Sequence, residues 1–449
     1  MISQATYFSF ERFEVEKDNQ TVSFFYAIGM SGSKTLSFQD KIVLPAPISP
    51  GVPKALLSSI LSSLHLILGI SYWKLYCPKE IRIESGSLTE KQALFWNIVY
   101  TKGLGEFFYR NEIDFRGLIA FPFAQKVPPT PAVLNLQDRS LVGIAGGKDS
   151  LVSFEILKKA GKEMTPLVIE TNHPYFLIRH LLEKESQKPL FIRHELDEKL
   201  HALNHTGLVY NGHVPVSAMY SFILLFAAVV YDYKYCVVSN EKSASYGNVD
   251  YLGMEVNHQW SKSEEYESMM RSYVEEFITP SITYFSLLRP LLELKIVQMF
   301  SGYKKYFSSF SSCNKNFTVF EESSHQKWCG TCPKCAFMFV LLSAFLTKNE
   351  VVGIFGKNLF EDEELVSLYR QLLGIEDIKP FDCVGTPEEV VVAFYMAYQK
   401  GEFKGSAVMD MFEKRVAVGI KDISKLQKHV LALESLESLP DEFKNIFNI

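Results

Sequence analysis

The chain has 449 residues, 47% of them apolar and 22% charged, with 46 basic residues against 51 acidic ones and a net charge of −5. Such a chain has material for about three domains or one enlarged one, and its composition excludes bulk disorder. The slight acidic excess argues against nucleic acid as a partner, because neutralising phosphates takes clustered cations.

The start, MISQATYFSFERFEVEKD, lacks a basic stretch followed by an apolar one, so no export leader is expected. The longest apolar stretch, Val214 to Tyr231, is interrupted by Pro215, Ser217 and Ser221. It falls short of the ~20 residues that a span needs, so no membrane partner is expected. Residues 1–135 are read as an N-terminal α+β accessory domain. Thr21 to Ile28 and Lys41 to Leu44 have strand composition, with turns predicted at Gly29 and Gly32. A helix is predicted from Lys54 to Leu68, opened by Pro53 and closed by Gly69. Thr89 and Gln92 have capping-box spacing before another helix. The Pro-rich run Val127 to Pro131 marks the first boundary.

Residues 136–348 alternate strand and helix. Leu141 to Ala145, Pro166 to Thr171, Leu190 to Glu195 and Tyr235 to Asn240 are apolar runs of the kind that buried parallel strands show. Helices are predicted over Ser150 to Ala160, His173 to Glu183 and Val216 to Val230. The pattern predicts an α/β fold with a parallel sheet and ligands at the carboxyl ends of its strands. Residues 349–449 read as mainly helical, with one helix opened by Thr386-Pro387-Glu388-Glu389 and ended by Gly401.

The most informative segment is Val142 to Leu151, VGIAGGKDSL, where a buried strand runs through two glycines into a helix. Gly146 and Gly147 let backbone N–H groups approach a polyanion, and the new helix aims its positive end there. Lys148 offers a point charge, Asp149 a magnesium ligand, and Ser150 a helix cap that can also donate to phosphate. A Walker A loop is excluded, since it would need Gly at Val142 and Ser or Thr at Asp149. The dinucleotide pattern G-x-G-x-x-G is absent too. What remains resembles the PP-loop of the ATP pyrophosphatases, S-G-G-x-D-S, with Ala145 in place of the first Ser.

Seven cysteines do not make a disulfide framework. Cys77, Cys236 and Cys383 are scattered, while Cys313, Cys329, Cys332 and Cys335 belong to one region. C-x2-C-x2-C with a fourth thiolate upstream predicts a closed tetrahedral zinc site in a reducing compartment. An iron–sulfur cluster is the rival occupant. Gly330 and Pro333 suit tight knuckle turns.

Between these motifs, Ser239 to Glu267 is dense in polar residues and follows a strand. The ordered set GGKDS, SNEKSASYGN, NHQWSKS, FSLLRPL, SCNKNF and CGTCPKC, with GLGEFFYRN (Gly103 to Asn111) upstream, resembles the UDP-N-acetyl-α-D-muramoyl-L-alanyl-L-glutamate epimerase family. The resemblance covers most of the chain and is weakest before about residue 85 and after about residue 350. The glycine loop and cysteine spacing alone are equally similar to the 7-cyano-7-deazaguanine synthases.

The resemblance implies a PP-loop (adenine nucleotide alpha hydrolase-like) fold and an isomerase of peptidoglycan biosynthesis in the bacterial cytoplasm, serving cell-wall biogenesis and cell shape. It implies ATP and Mg²⁺ at Ala145, Gly146, Gly147, Lys148, Asp149 and Ser150, and a UDP-muramoyl dipeptide as substrate. The terminal L-glutamate would be inverted to D-glutamate through an acyl-adenylate, releasing AMP and diphosphate. Glu241, His258 and Lys262 are the candidates for proton transfer at Cα, and Arg110 and Arg289 for clamping substrate carboxylate or diphosphate. The alternatives are a carboxylate-activating ligase similar to the deazaguanine synthases and a tRNA thiolation enzyme. The sequence carries no signal for oligomeric state.

Overall fold

The computed structural model describes residues 4–32, 34–125, 130–183, 185, 187–316, 327–376 and 378–448. Most of the proline-rich boundary and the end of SCNKNF therefore lie outside the described residues. The strands are β1 (Ala5–Val15), β2 (Thr21–Met30), β3 (Thr35–Val43), β4 (Glu80–Ile83), β5 (Gln137–Gly143) and β6 (Met164–Glu170). They continue as β7 (Leu190–Glu195), β8 (Tyr233–Val238), β9 (Val249–Tyr251), β10 (Met254–Val256) and β11 (Thr283–Ser286).

Nine of them form one sheet in the order β11-β8-β5-β6-β7-β3-β2-β1-β4. From β11 to β7 every pairing is parallel. β3 then adds antiparallel to β7, with Ile42 opposite His194. Strands from both sides of residue 135 thus share one sheet. The remaining two, β9 and β10, make a separate antiparallel hairpin. The chain is an α/β protein built on a large, mostly parallel sheet.

Alternation along the central strands sends side chains to two cores. Leu141, Leu167, Ile192, Cys236 and Tyr284 join one, with helices Lys54–Leu68 and Val216–Tyr231. Val142, Val168, Val237 and Phe285 join the other, with helices Lys148–Lys159 and Pro333–Phe345 and the C-terminal helices. Strands buried on both faces read as continuous apolar runs, which is why these were visible in the sequence.

The capping boxes at Thr89 and Thr386 are both formed, and Gly401 ends its helix with φ +72°. Two glycine assignments change. Gly29 lies inside β2 and Gly69 keeps a right-handed conformation at φ −60°. Both are glycines because a Cβ would overlap rings, Tyr7 at the first and Phe10 at the second. Helix therefore continues past Gly69 as Ile70–Trp73. The resulting Lys54–Trp73 unit is long and apolar enough to cross a membrane by length and composition, but most of it is buried inside the protein. It packs against helix Val216–Tyr231 as a core helix.

Candidate active site

β5 and β8 are neighbours, yet the chain leaves β5 toward β6 on one side and β8 toward β11 on the other. Parallel sheets open a crevice at such a reversal, at the carboxyl ends of the two strands. The glycine turn leaves β5 there, and Asn240 and Glu241 leave β8 beside it.

Gly146 has φ +75°, and a Cβ on it would lie 2.8 Å from Ile178 Cγ1, so conformation and space both demand glycine. Gly147 is the N-cap of helix Lys148–Lys159, and no side chain caps that end. Ser150, expected as the cap, instead lies within the first turn, where its hydroxyl donates to Gly147 O at 3.1 Å. Ala145 is exposed at the strand end, and the Asp149 side chain is 25% exposed.

Behind this turn lies a buried charge network. Lys148, fully buried, pairs with Asp149 Oδ1 at 2.6 Å and with Glu293. Burial opposes its charge, but Asp149, Glu293 and Glu241 hold it protonated. The carboxyl oxygens of Asp149, Glu241 and Glu293 lie within 4.8 Å of one another, a spacing that can hold a cation. Burial, together with the charges of Glu293 and Asp149, pushes Glu241 up to about 7. Lys334 Nζ reaches Glu293 Oε1 at 3.5 Å and donates to the Cys383 carbonyl.

The network continues to Lys262, whose Nζ lies 3.3 Å from Cys383 Sγ. Burial opposes ionisation of the Cys383 thiol, but Lys262, His258 and Lys334 bring it down to about 6. His258 donates from Nδ1 to Glu106 Oε2 at 2.5 Å. Against the cost of burial, Cys383 and Glu106 raise it to about 9. Burial and the positive charge of His258 lower His213 to about 3, so it stays neutral.

Of the predicted residues, the glycine turn, Glu241, Lys262 and His258 are thus brought into one contiguous site. Arg110 stands at its rim, 53% exposed, with Nε on Glu106 Oε1 at 2.6 Å and its guanidinium over the Phe381 ring. Arg289 is different. Buried, it gives Nη1 to Glu241 O at 2.7 Å, Nη2 to Lys262 O at 2.7 Å, and Nε to Glu267 Oε2 at 3.0 Å. Its donors fix the backbone that carries two site residues, so it is a positioning group and not an open clamp. Arg289→Met is expected to cost about 3–5 kcal/mol in urea unfolding, because it strips a buried charge network. A loss under about 1 kcal/mol would contradict that role.

Glu106, His213, Glu293, Lys334 and Cys383 were missed as individual site residues. Glu106 and Lys334 sit inside segments that the sequence had singled out and Glu293 lies two residues beyond one, whereas Cys383 carried no local signal at all.

The four cysteines of the cluster form no disulfide, and their Sγ atoms lie within 4.8 Å of one another. Separations are 4.0 Å for Cys313–Cys332, 3.7 Å for Cys329–Cys335 and 3.4 Å for Cys332–Cys335. This cluster can hold a metal ion. Gly330 takes φ +67°, as a knuckle turn requires, and Pro333 starts the helix that Cys332 caps. The cluster also bears on the glycine turn. Ser311 N donates to Gly146 O at 3.3 Å, and Ser312 Oγ stands 3.1 Å from where a Gly147 Cβ would be.

Residues 1–287 match the MurL N-terminal domain and residues 309–426 the MurL C-terminal domain. A protein of Xanthomonas oryzae pv. oryzae is 40% identical over 403 residues, 88% of this chain and 87% of its own. One from a Micromonospora species is 37% identical, covering 90% of this chain and 89% of its own. One from Salinispora tropica is 34% identical, covering 90% and 87%. All three are named UDP-N-acetyl-alpha-D-muramoyl-L-alanyl-L-glutamate epimerase. With both domain models matched and relatives of this identity along nearly its whole length, the chain belongs to the UDP-N-acetyl-alpha-D-muramoyl-L-alanyl-L-glutamate epimerase family.

Proposed function

We propose that this protein inverts the terminal L-glutamate of UDP-N-acetylmuramoyl-L-alanyl-L-glutamate, using ATP bound at a PP-loop of the ATP pyrophosphatase type. The observation that supports this most is the meeting of an uncapped glycine-turn helix start with two buried carboxylates and a third that is partly exposed, at the switch point of the parallel sheet. Such a turn suits phosphate oxygens, and the carboxylates suit a magnesium ion that neutralises them. A Cα–H beside a carboxylate is hard to remove because two negative charges would adjoin. Joining that carboxylate to AMP neutralises it and makes the hydrogen acidic.

The substrate carboxylate attacks the α-phosphorus of ATP, the bond to the bridging oxygen breaks, and pyrophosphate leaves. A base takes the Cα proton, and a proton is returned to the opposite face. Water then attacks the acyl carbon, which releases AMP and the D-glutamyl product. Gly146 and Gly147 present backbone N–H groups to the phosphate, and Lys148 holds Asp149 and Glu293 in place. Lys262 stays protonated despite burial, since Cys383, Glu241 and Asp149 surround it. It is suited to stabilising the negative charge that develops on the activated carbonyl. His258, tied to Glu106, orients its neighbours.

For the cysteine cluster we favour zinc. Arms of about 2.3 Å in a tetrahedron give sulfur–sulfur edges of ~3.8 Å, which the separations of 3.4 to 4.0 Å bracket. A cluster that set each thiolate on a separate iron would hold the sulfurs farther apart. A closed thiolate site leaves no open position, so its part is to pin Ser311–Cys313 on the glycine turn. The test is pyrophosphate release from ATP and Mg²⁺ with and without the muramoyl dipeptide, followed by chiral analysis of the glutamate. Release that depends on the dipeptide, with D-glutamate in the product, is expected. Release with the glutamate still L would favour a ligase instead.

A further inference from the structure

Three segments distant in sequence bring Glu106, His258 and Cys383 together. Glu106 lies on helix Gly105–Arg110, His258 on the loop after the β9–β10 hairpin, and Cys383 just before the helix that starts at Pro387. His258 is hydrogen-bonded to Glu106, and a ring nitrogen of His258 lies within 4.8 Å of Cys383 Sγ. A cation, Lys262 Nζ, stands 3.3 Å from the sulfur. Acid, imidazole and thiol in that order are the arrangement by which proteins orient an imidazole and hold a thiol as thiolate.

The loop carrying Cys383 is fixed from several directions. Gln259 Nε2 donates to Val384 O at 3.1 Å, Asp382 Oδ1 accepts from Cys383 N at 2.7 Å, and Asn314 Nδ2 donates to the same Asp382 oxygen at 2.6 Å. Lys334 binds the Cys383 carbonyl and also reaches Glu293 beside the glycine turn. The sulfur is therefore part of the nucleotide site's own network and only partly buried. A covalent thioester role is not needed by the chemistry proposed above, but a proton acceptor is.

We infer that Cys383 is a catalytic proton-transfer residue, whose thiolate removes the Cα hydrogen of the activated glutamyl group. This rests on the epimerase reading. The Cα–H bond breaks, the proton passes to sulfur as an S–H bond, and the electron pair moves into the activated carbonyl. A proton derived from water is delivered to the opposite face, and the thiol gives its proton to solvent to regenerate the thiolate. Glu106, His258 and Lys262 position and charge the sulfur.

The experiment uses the full chain, ATP, Mg²⁺ and the muramoyl dipeptide in D₂O. Wild-type protein is expected to release pyrophosphate and to form D-glutamate carrying deuterium at Cα. Cys383→Ala and Cys383→Ser should keep pyrophosphate release within about fivefold, while inversion and deuterium uptake fall by roughly 100-fold or more. Inversion within about fivefold of wild type in either folded variant would overturn the role. So would equal loss of pyrophosphate release and inversion at unchanged melting temperature, since Cys383 would then serve activation. Should the variants not fold, iodoacetamide on wild-type protein decides. Alkylation of Cys383 that is blocked by the dipeptide together with α,β-methylene-ATP supports the role, and alkylation at the same rate with both present contradicts it. Wild-type protein that forms no D-glutamate overturns the epimerase reading itself.

Discussion

Asp149→Asn is expected to lower dipeptide-dependent pyrophosphate release by roughly 10²–10³-fold, the usual effect of removing one preorganised electrostatic group from a transition state. Asp149 is the partly exposed member of the three-carboxylate set, at the first turn of the helix that leaves the glycine turn. It is therefore the carboxylate best placed to share a cation with phosphate oxygens. The fold should tolerate the change. Lys148 keeps Glu293 as its partner, and the negative charges around Glu241 become fewer. Steady-state pyrophosphate release at saturating Mg²⁺, read beside a thermal melt, checks this. Activity within about threefold of wild type would show that the cation, or the nucleotide, binds elsewhere.

The second large effect concerns the cysteine cluster. Cys335→Ser should empty the site of metal, from about one ion per chain to almost none, and should lower the melting temperature by more than 10 °C. Structural zinc contributes about 10–16 kcal/mol in zinc-finger peptides. Even a fraction of that is large beside the net stability of ~5–15 kcal/mol of a typical protein. Cys335 is fully buried on helix Pro333–Phe345, inside the core that also holds the helix after the glycine turn. Pyrophosphate release should fall with metal content, because Ser311, Ser312 and Lys334 are the links between cluster and site. Elemental analysis and calorimetry check both halves. A variant without metal that melts normally would remove the structural role.

What the sequence made legible follows from where physics is local. β5, β6 and β8 are buried on both faces and so read as apolar runs, and the Thr89 and Thr386 capping boxes need only residues three apart. The glycine turn and the cysteine spacing are likewise short-range, as positive φ and metal geometry constrain neighbours. The joining of β3 to β7 was not legible, because it depends on a pairing across about 150 residues, Ile42 with His194. The same holds for the site's polar members. Cys383 looked like a scattered thiol, and Arg289 like a clamp for substrate, until the fold placed Lys262 beside the first and Glu267 beside the second. Ser150 shows a smaller version. A hydroxyl near a helix start has capping chemistry, but Gly147 already takes that position.

The proposed inversion turns on activation of the glutamate carboxylate by transfer to AMP. The most direct measurement supplies the dipeptide with ¹⁸O in its terminal carboxylate and examines the products of one turnover by mass spectrometry. Attack of that carboxylate on the α-phosphorus, followed by water at the acyl carbon, predicts AMP carrying one ¹⁸O together with D-glutamate. Unlabelled AMP accompanying inverted glutamate would contradict it.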